Sequence, residues 1–142
     1  MTGLRSGFVA VLCVVASACS TGPASEAGAS TPPLGEWQAL RVGDRAVAGP
    51  SIRFTSDGST SGTTGCNQFS TKASFEGDDG ISFAPTAVTK MACMGGDRMA
   101  VEREFLDALS ASRRYRNDEN RQQLIDAEGR VVLELEPSSA SS

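Results

Sequence analysis

The sequence predicts an α+β domain of mostly antiparallel β-structure: a curved sheet or small barrel of about 6–8 strands, with one helix over about 97–111 packed against it. Three observations lead there. Short runs with period-two alternation are divided by turn signals such as Asp57-Gly58 and GDDG (77–80). One stretch, GGDRMAVEREFLDALSAS (95–112), switches to helical spacing. Alternating runs then resume, so the helix interrupts a strand series and does not repeat in βαβ units.

Each element has its own argument. EWQALRV (36–42) ends at Gly43-Asp44. SIRFTS (51–56) sets Ile52 and Phe54 on one face and runs into Asp57-Gly58, a strong hairpin turn. The polar run TSDGSTSGTTG (55–65) reads as solvent-facing, either lining a binding surface or simply a hairpin and loop. FSTKASFE (69–76) stops at GDDG, and ISF (81–83) continues until Pro85 breaks it. AVTKMA (87–92) follows.

In the helix, Val101, Phe105, Ala108 and Leu109 recur at core spacing, and Asp97 is placed to cap the N-terminus. Glu102, Arg103, Glu104 and Asp107 form its solvated face. RRYR (113–116), the turn NDEN, RQQLID (121–126), the turn AEG and RVVLELE (130–136) complete the series. Val131, Leu133 and Leu135 alternate in the last strand, as a strand with one wet face requires. Trp37, Phe54, Phe69, Phe83, Phe105 and Tyr115 are the expected aromatic core.

Ahead of this domain, MTGLRSGFVAVLCVVASAC carries one cation, Arg5, then an apolar run over 7–16, then small residues. That run is too short to span a bilayer as a mature helix and has the form of an export signal. Its end, Ala16-Ser17-Ala18-Cys19, resembles a bacterial lipobox, in which the cysteine is acylated and the signal is cut before it. Residues 1–18 are therefore expected to be a lipoprotein signal peptide, with Cys13 discarded inside it. Cys19 is the expected lipidation site. Several acyl chains would anchor the chain firmly, where one chain holds only marginally. Residues 19–33, rich in Ser, Gly, Ala and Pro, read as a flexible tether, 34–137 as the domain, and 138–142 as a disordered tail. The expected location is the bacterial cell envelope. Ser20 is not the Asp associated with inner-membrane retention, so a host with two membranes would place the protein on the outer membrane, facing the periplasm.

Net charge is −4 with a pI near 4.8, which argues against nucleic-acid binding. The chain has no histidine. That removes the Cys-His and Ser-His pairs that activate most nucleophiles, and the commonest transition-metal ligand. Cys66, in GCNQFS, and Cys93, in TKMAC, are left to explain. As metal ligands they are at most two, where structural zinc wants four, and GDDG lacks the alternating ligands of a calcium loop. As a nucleophile Cys66 lacks a base, and Lys72 or Arg98 would assist only by chance of folding. A disulfide fits best, because export favours oxidation and Cys19 is consumed by lipid. Asn67 beside it reads as turn chemistry.

The paired runs Gly65-Cys66-Asn67-Gln68-Phe69 and Thr89-Lys90-Met91-Ala92-Cys93, with Glu104-Phe105-Leu106-Asp107-Ala108-Leu109, resemble the META domain, the family of the bacterial heat-inducible protein HslJ. Trp37 and the closing LIDAEGRVVLELE fit it too, so the resemblance covers nearly all of 34–137. It implies a compact β-rich domain with a helix, often on exported lipoproteins, with Gly65, Asn67, Phe69 and Met91 among its motif positions. The biochemical activity of that family is not established, so the resemblance implies no substrate. Members are linked to stress response, to novobiocin resistance in one bacterial branch, and to virulence or motility in parasites.

Three functions compete. The first is a non-enzymatic envelope lipoprotein that binds a partner protein or ligand in stress tolerance, with no cofactor, no metal and no nucleic acid. The second is a carrier of a small apolar ligand in a barrel cavity. The third is an enzyme built on carboxylates such as Asp78, Asp79 or Glu104, which are better explained as turn and helix-surface charges.

Overall fold

The structure, a computed structural model, describes residues 30–118 and 120–139. The predicted signal peptide, Cys19, most of the tether and the last three residues lie outside the described residues.

Among the described residues, ten strands and one helix follow one another: β1 (Gly35–Val42), β2 (Arg45–Ala46), β3 (Pro50–Phe54), β4 (Ser59–Thr64), β5 (Gln68–Glu76), β6 (Gly80–Phe83), β7 (Ala87–Val88), α1 (Arg98–Ala111), β8 (Ser112–Asp118), β9 (Arg121–Asp126) and β10 (Val131–Pro137). Eight of them form a closed antiparallel barrel in the order β1-β3-β4-β5-β6-β8-β9-β10, with β10 pairing back onto β1. The two-residue strands β2 and β7 pair with β1 and β5. Closure leaves the eight strands no free edge of the kind that templates aggregation. Register shifts in β1 at Ala39/Arg41, in β8 at Ser112/Arg114 and in β10 at Val131/Leu133 bend neighbouring strands at one end of the barrel.

The barrel is filled, not hollow. Ala39, Ile52, Phe54, Phe69, Ala73, Ile81, Tyr115, Leu124, Leu133 and Leu135 are buried in one core with Phe105 and Leu109 of the helix. Phe54 meets Phe75 and Phe83, Phe75 stands edge-on to Tyr115, and Phe69 meets Phe105 with ring centres 5.4 Å apart. Of the expected aromatic core, Trp37 and Phe83 are only half-buried and pack on its outside. Trp37 has a polar reason: its indole N–H donates to the Pro33 carbonyl at 3.0 Å.

The helix touches β1, β4, β6, β9 and β10, strands spread around the barrel, so it lies across one open end. Phe105, Ala108 and Leu109 are its buried residues. It passes straight into β8: Ser112 is already extended, and its N–H and hydroxyl both donate to the Ala108 carbonyl.

Asp97 sits at the helix N-cap, but its side chain makes no capping hydrogen bond. The polar run read as a hairpin and loop contains the barrel strand β4, with Thr60 and Thr64 facing inward and buried. The strand expected over 87–92 is only β7; the Thr89 N–H still donates to the Gln68 carbonyl, but Met91 beyond it is held by the Asn67 side chain instead of a ladder. Residues 30–33, assigned to the flexible tether, are docked on the barrel. The Ser30 N–H donates to the Asp78 carbonyl, the Tyr115 hydroxyl to the Ser30 carbonyl and Asn117 to the Thr31 carbonyl, while Pro33 is fully buried.

Candidate functional site

The motif residues meet where the β4–β5 turn, the segment 89–93 and the first turns of α1 converge. The turn is shaped by Gly65, whose φ of 90° suits glycine, and it closes through a 2.8 Å bond from the Thr64 N–H to the Asn67 carbonyl. Asn67 follows and is 3% exposed. Its side chain works at long range, not within its own turn. Oδ1 accepts from the Met91 N–H at 2.7 Å and the Thr89 hydroxyl at 3.0 Å. Nδ2 donates to Glu102 Oε2 at 2.9 Å. One buried amide thus ties two segments distant in sequence, 89–91 and the helix, to its own turn.

Glu102 is the residue that the sequence reading missed. It was placed on the solvated face of the helix, yet its Oε2 also accepts from the Thr64 hydroxyl at 2.6 Å. Only the turn and helix together supply those partners. Its spacing from Phe105 and Leu109 carries no signal for them.

Cys66 and Cys93 are paired beside this cluster, with Cα atoms 5.8 Å apart, inside the span that a disulfide bridges. The Met91 carbonyl oxygen lies 3.9 Å from Cys66 Sγ and 3.7 Å from Cys93 Sγ. The sulfur atoms and a Glu102 carboxylate oxygen all lie within 4.8 Å of one another. Spacing along the sequence does not suggest this grouping of three half-buried side chains.

The other motif residues divide by role. Phe69 is buried against Phe105 and joins the turn to the helix. Met91 is held through its backbone, while its side chain is 65% exposed. Met94 and Met99 are also exposed nearby.

The remaining candidates stand apart. Lys72 pairs with Ser59 at the open end of the β4–β5 hairpin, away from Cys66. Arg98 lines a cleft of ≈ 500 Å³ between the helix start and residues 45–50, which also touches Thr64 and Gly65. Asp78 and Asp79 form the 77–80 turn, where their carbonyls hold Ser30 and Tyr115. Glu104 is 2.9 Å from Arg45 at the surface. A larger cleft of ≈ 800 Å³ runs outside the barrel between α1 and β1, β9 and β10, with Arg41, Asp44, Glu104, Asp107 and Arg130 on its walls. Asp126 on its floor is buried. Burial pushes its carboxyl up, but the Arg130 backbone and guanidinium and the Glu128 N–H outweigh this and leave its pKa lowered.

A closed eight-stranded barrel, capped by one helix and clasped by a Gly-Cys-Asn turn, defines the class of protein. Residues 33–139 match the META domain, and the chain belongs to that family. Among solved structures it is similar to a protein determined by NMR, at 18% identity and TM-score 0.61, over 76% of this chain and 92% of that one. It is also similar to a protein from Burkholderia xenovorans, at 25% identity and TM-score 0.59, over 74% and 82% of the two chains. A third is a DUF4847 family protein from Bacteroides vulgatus, at 16% identity and TM-score 0.55, over 72% and 91%. No curated protein matches the chain in sequence.

Proposed function

We propose that this META-domain protein is a non-enzymatic lipoprotein of the bacterial cell envelope, anchored through lipid on Cys19 and acting as a binding module in stress tolerance. The observation that carries the anchor is Ala16-Ser17-Ala18-Cys19 directly after an apolar run. The polar composition of residues 20–29 supports a short tether, which would end where Ser30 and Pro33 dock on the barrel. The absence of an enzymatic role rests on the cluster's chemistry. Asn67, Thr64 and Glu102 hydrogen-bond one another, and the chain contains no histidine to serve as a base. The carrier reading is weaker, because Phe54, Ile52, Leu124, Leu133 and Leu135 fill the barrel interior.

The test is fractionation of a host expressing the wild type and Cys19→Ser, with metabolic labelling by a fatty-acid analogue. Wild type should carry label and stay with the membrane; the variant should lose label and become soluble. An unlabelled, soluble wild type would refute the anchor. Crosslinking from intact envelopes with the same pair tests the binding role. A partner captured by wild type and lost with Cys19→Ser supports it; recovery of no specific partner counts against it.

A further inference from the structure

We infer that Cys66, Cys93 and Glu102 form a reduction-gated site for a thiophilic divalent cation such as Zn²⁺, so that the two sulfurs can be joined either by a disulfide or by a metal. The two sulfurs are joined in the disulfide, and a Glu102 carboxylate oxygen from a third segment lies within 4.8 Å of both. Two thiolates select zinc or cadmium over magnesium or calcium. Glu102 supplies the hard third ligand.

Its orientation is fixed as metal-bound carboxylates usually are, by hydrogen bonds from outside the site. Thr64 Oγ1 and Asn67 Nδ2 both bond to Oε2, and the carboxylate has a second oxygen to offer. The Met91 carbonyl faces both sulfurs, so that oxygen or a water can complete a tetrahedron. Thiolates on tetrahedral zinc stand about 3.8 Å apart, given Zn–S bonds of about 2.3 Å. The two Cα atoms are 5.8 Å apart and both cysteines are half-buried at loop positions, so reduction leaves the sulfurs room to separate to that distance.

The chemistry balances in two steps. An external dithiol delivers two electrons and two protons to the Cys66–Cys93 pair and leaves as its own disulfide. The cation then displaces both thiol protons, so binding releases two protons per metal. The proposal does not depend on the lipid anchor.

The experiment uses the full chain, oxidised and phosphine-reduced, titrated with Cd²⁺ under argon. The reduced chain should bind one Cd²⁺ with a thiolate-to-metal absorption band and release two protons; a large excess of Zn²⁺ should diminish the band. The oxidised chain should show no band. Glu102→Gln keeps an oxygen to accept from Thr64 and Asn67 but removes the charge, and should weaken binding at least about tenfold. Cys66→Ser should lose the one-to-one band. The inference is overturned if the reduced chain gives no one-to-one endpoint, if Glu102→Gln binds as tightly as wild type, or if oxidation leaves binding unchanged. Circular dichroism covers the case in which reduction unfolds the chain: refolding by one equivalent of metal supports the site, and failure to refold refutes it.

Discussion

At the scale of the residue, Asn67 decides most. Replacing it with Ala removes three part-buried hydrogen bonds, to the Met91 N–H, the Thr89 hydroxyl and Glu102, which keeps only its bond from Thr64. Each such loss costs about 1–3 kcal/mol, so Asn67→Ala should destabilise the fold by about 3 kcal/mol in urea unfolding. Met91→Ala should stay within about 0.5 kcal/mol, because only the backbone of that residue is used. Equal effects from the two changes would contradict this division of roles. Asp57 governs a pH response. Hydrogen bonds from Thr55 and then Ser59 lower its pKa from 3.8 to about 2. The folded state therefore favours the ionised form, and the contribution is present above the unfolded value of 3.8 and lost as pH falls through about 2. Asp126 is shifted in the same direction, so the two share the loss. Asp57→Asn should flatten the decline in urea midpoint across that window, and an unchanged slope would rule Asp57 out as a contributor.

At the scale of the element, the helix and the β3–β4 pair carry the sharpest tests. Phe105 is fully buried between the helix and Phe69. Phe105→Ala should cost about 3–5 kcal/mol, the usual range for an emptied aromatic site. In β4, Gly62 pairs with Ile52 and Phe69, and a Cβ there would collide with the Ser51 carbonyl. Gly62→Ala should cost about 2 kcal/mol through forced displacement of backbone, measured by thermal or urea unfolding. A neutral result would mean that β3 and β4 can part without loss. Gly62 also explains why β4 is hard to read in sequence. STSGTT has no large apolar residue, and its inward positions are filled by Thr60 and Thr64, whose hydroxyls find partners at Gly58, Asn67 and Glu102. The neighbouring β3 and β5 put Ile52, Phe54 and Phe69 inward and were legible for that reason.

At the scale of the whole molecule, the Cys66–Cys93 link joins the β4–β5 turn to the segment leading into the helix. Loop-closure entropy puts its contribution at up to about 3.5 kcal/mol. Reduction should lower the unfolding free energy by up to that amount while the barrel persists at 25 °C, read by circular dichroism and by mass shift on alkylation. Two thiols that alkylate freely in the untreated, folded chain would sink the disulfide. From the sequence came the β-rich class, most of the strands, the single helix and the family, because period, turn residues and motifs are local properties of the chain; β4, without large apolar residues, escaped it. Tertiary structure alone decided that β10 returns to β1, that residues 30–33 dock, and that Glu102 leaves the solvated face to join Thr64 and Asn67. Those contacts join residues far apart in sequence, and their free energy arises only when closure of the barrel brings the groups out of water together.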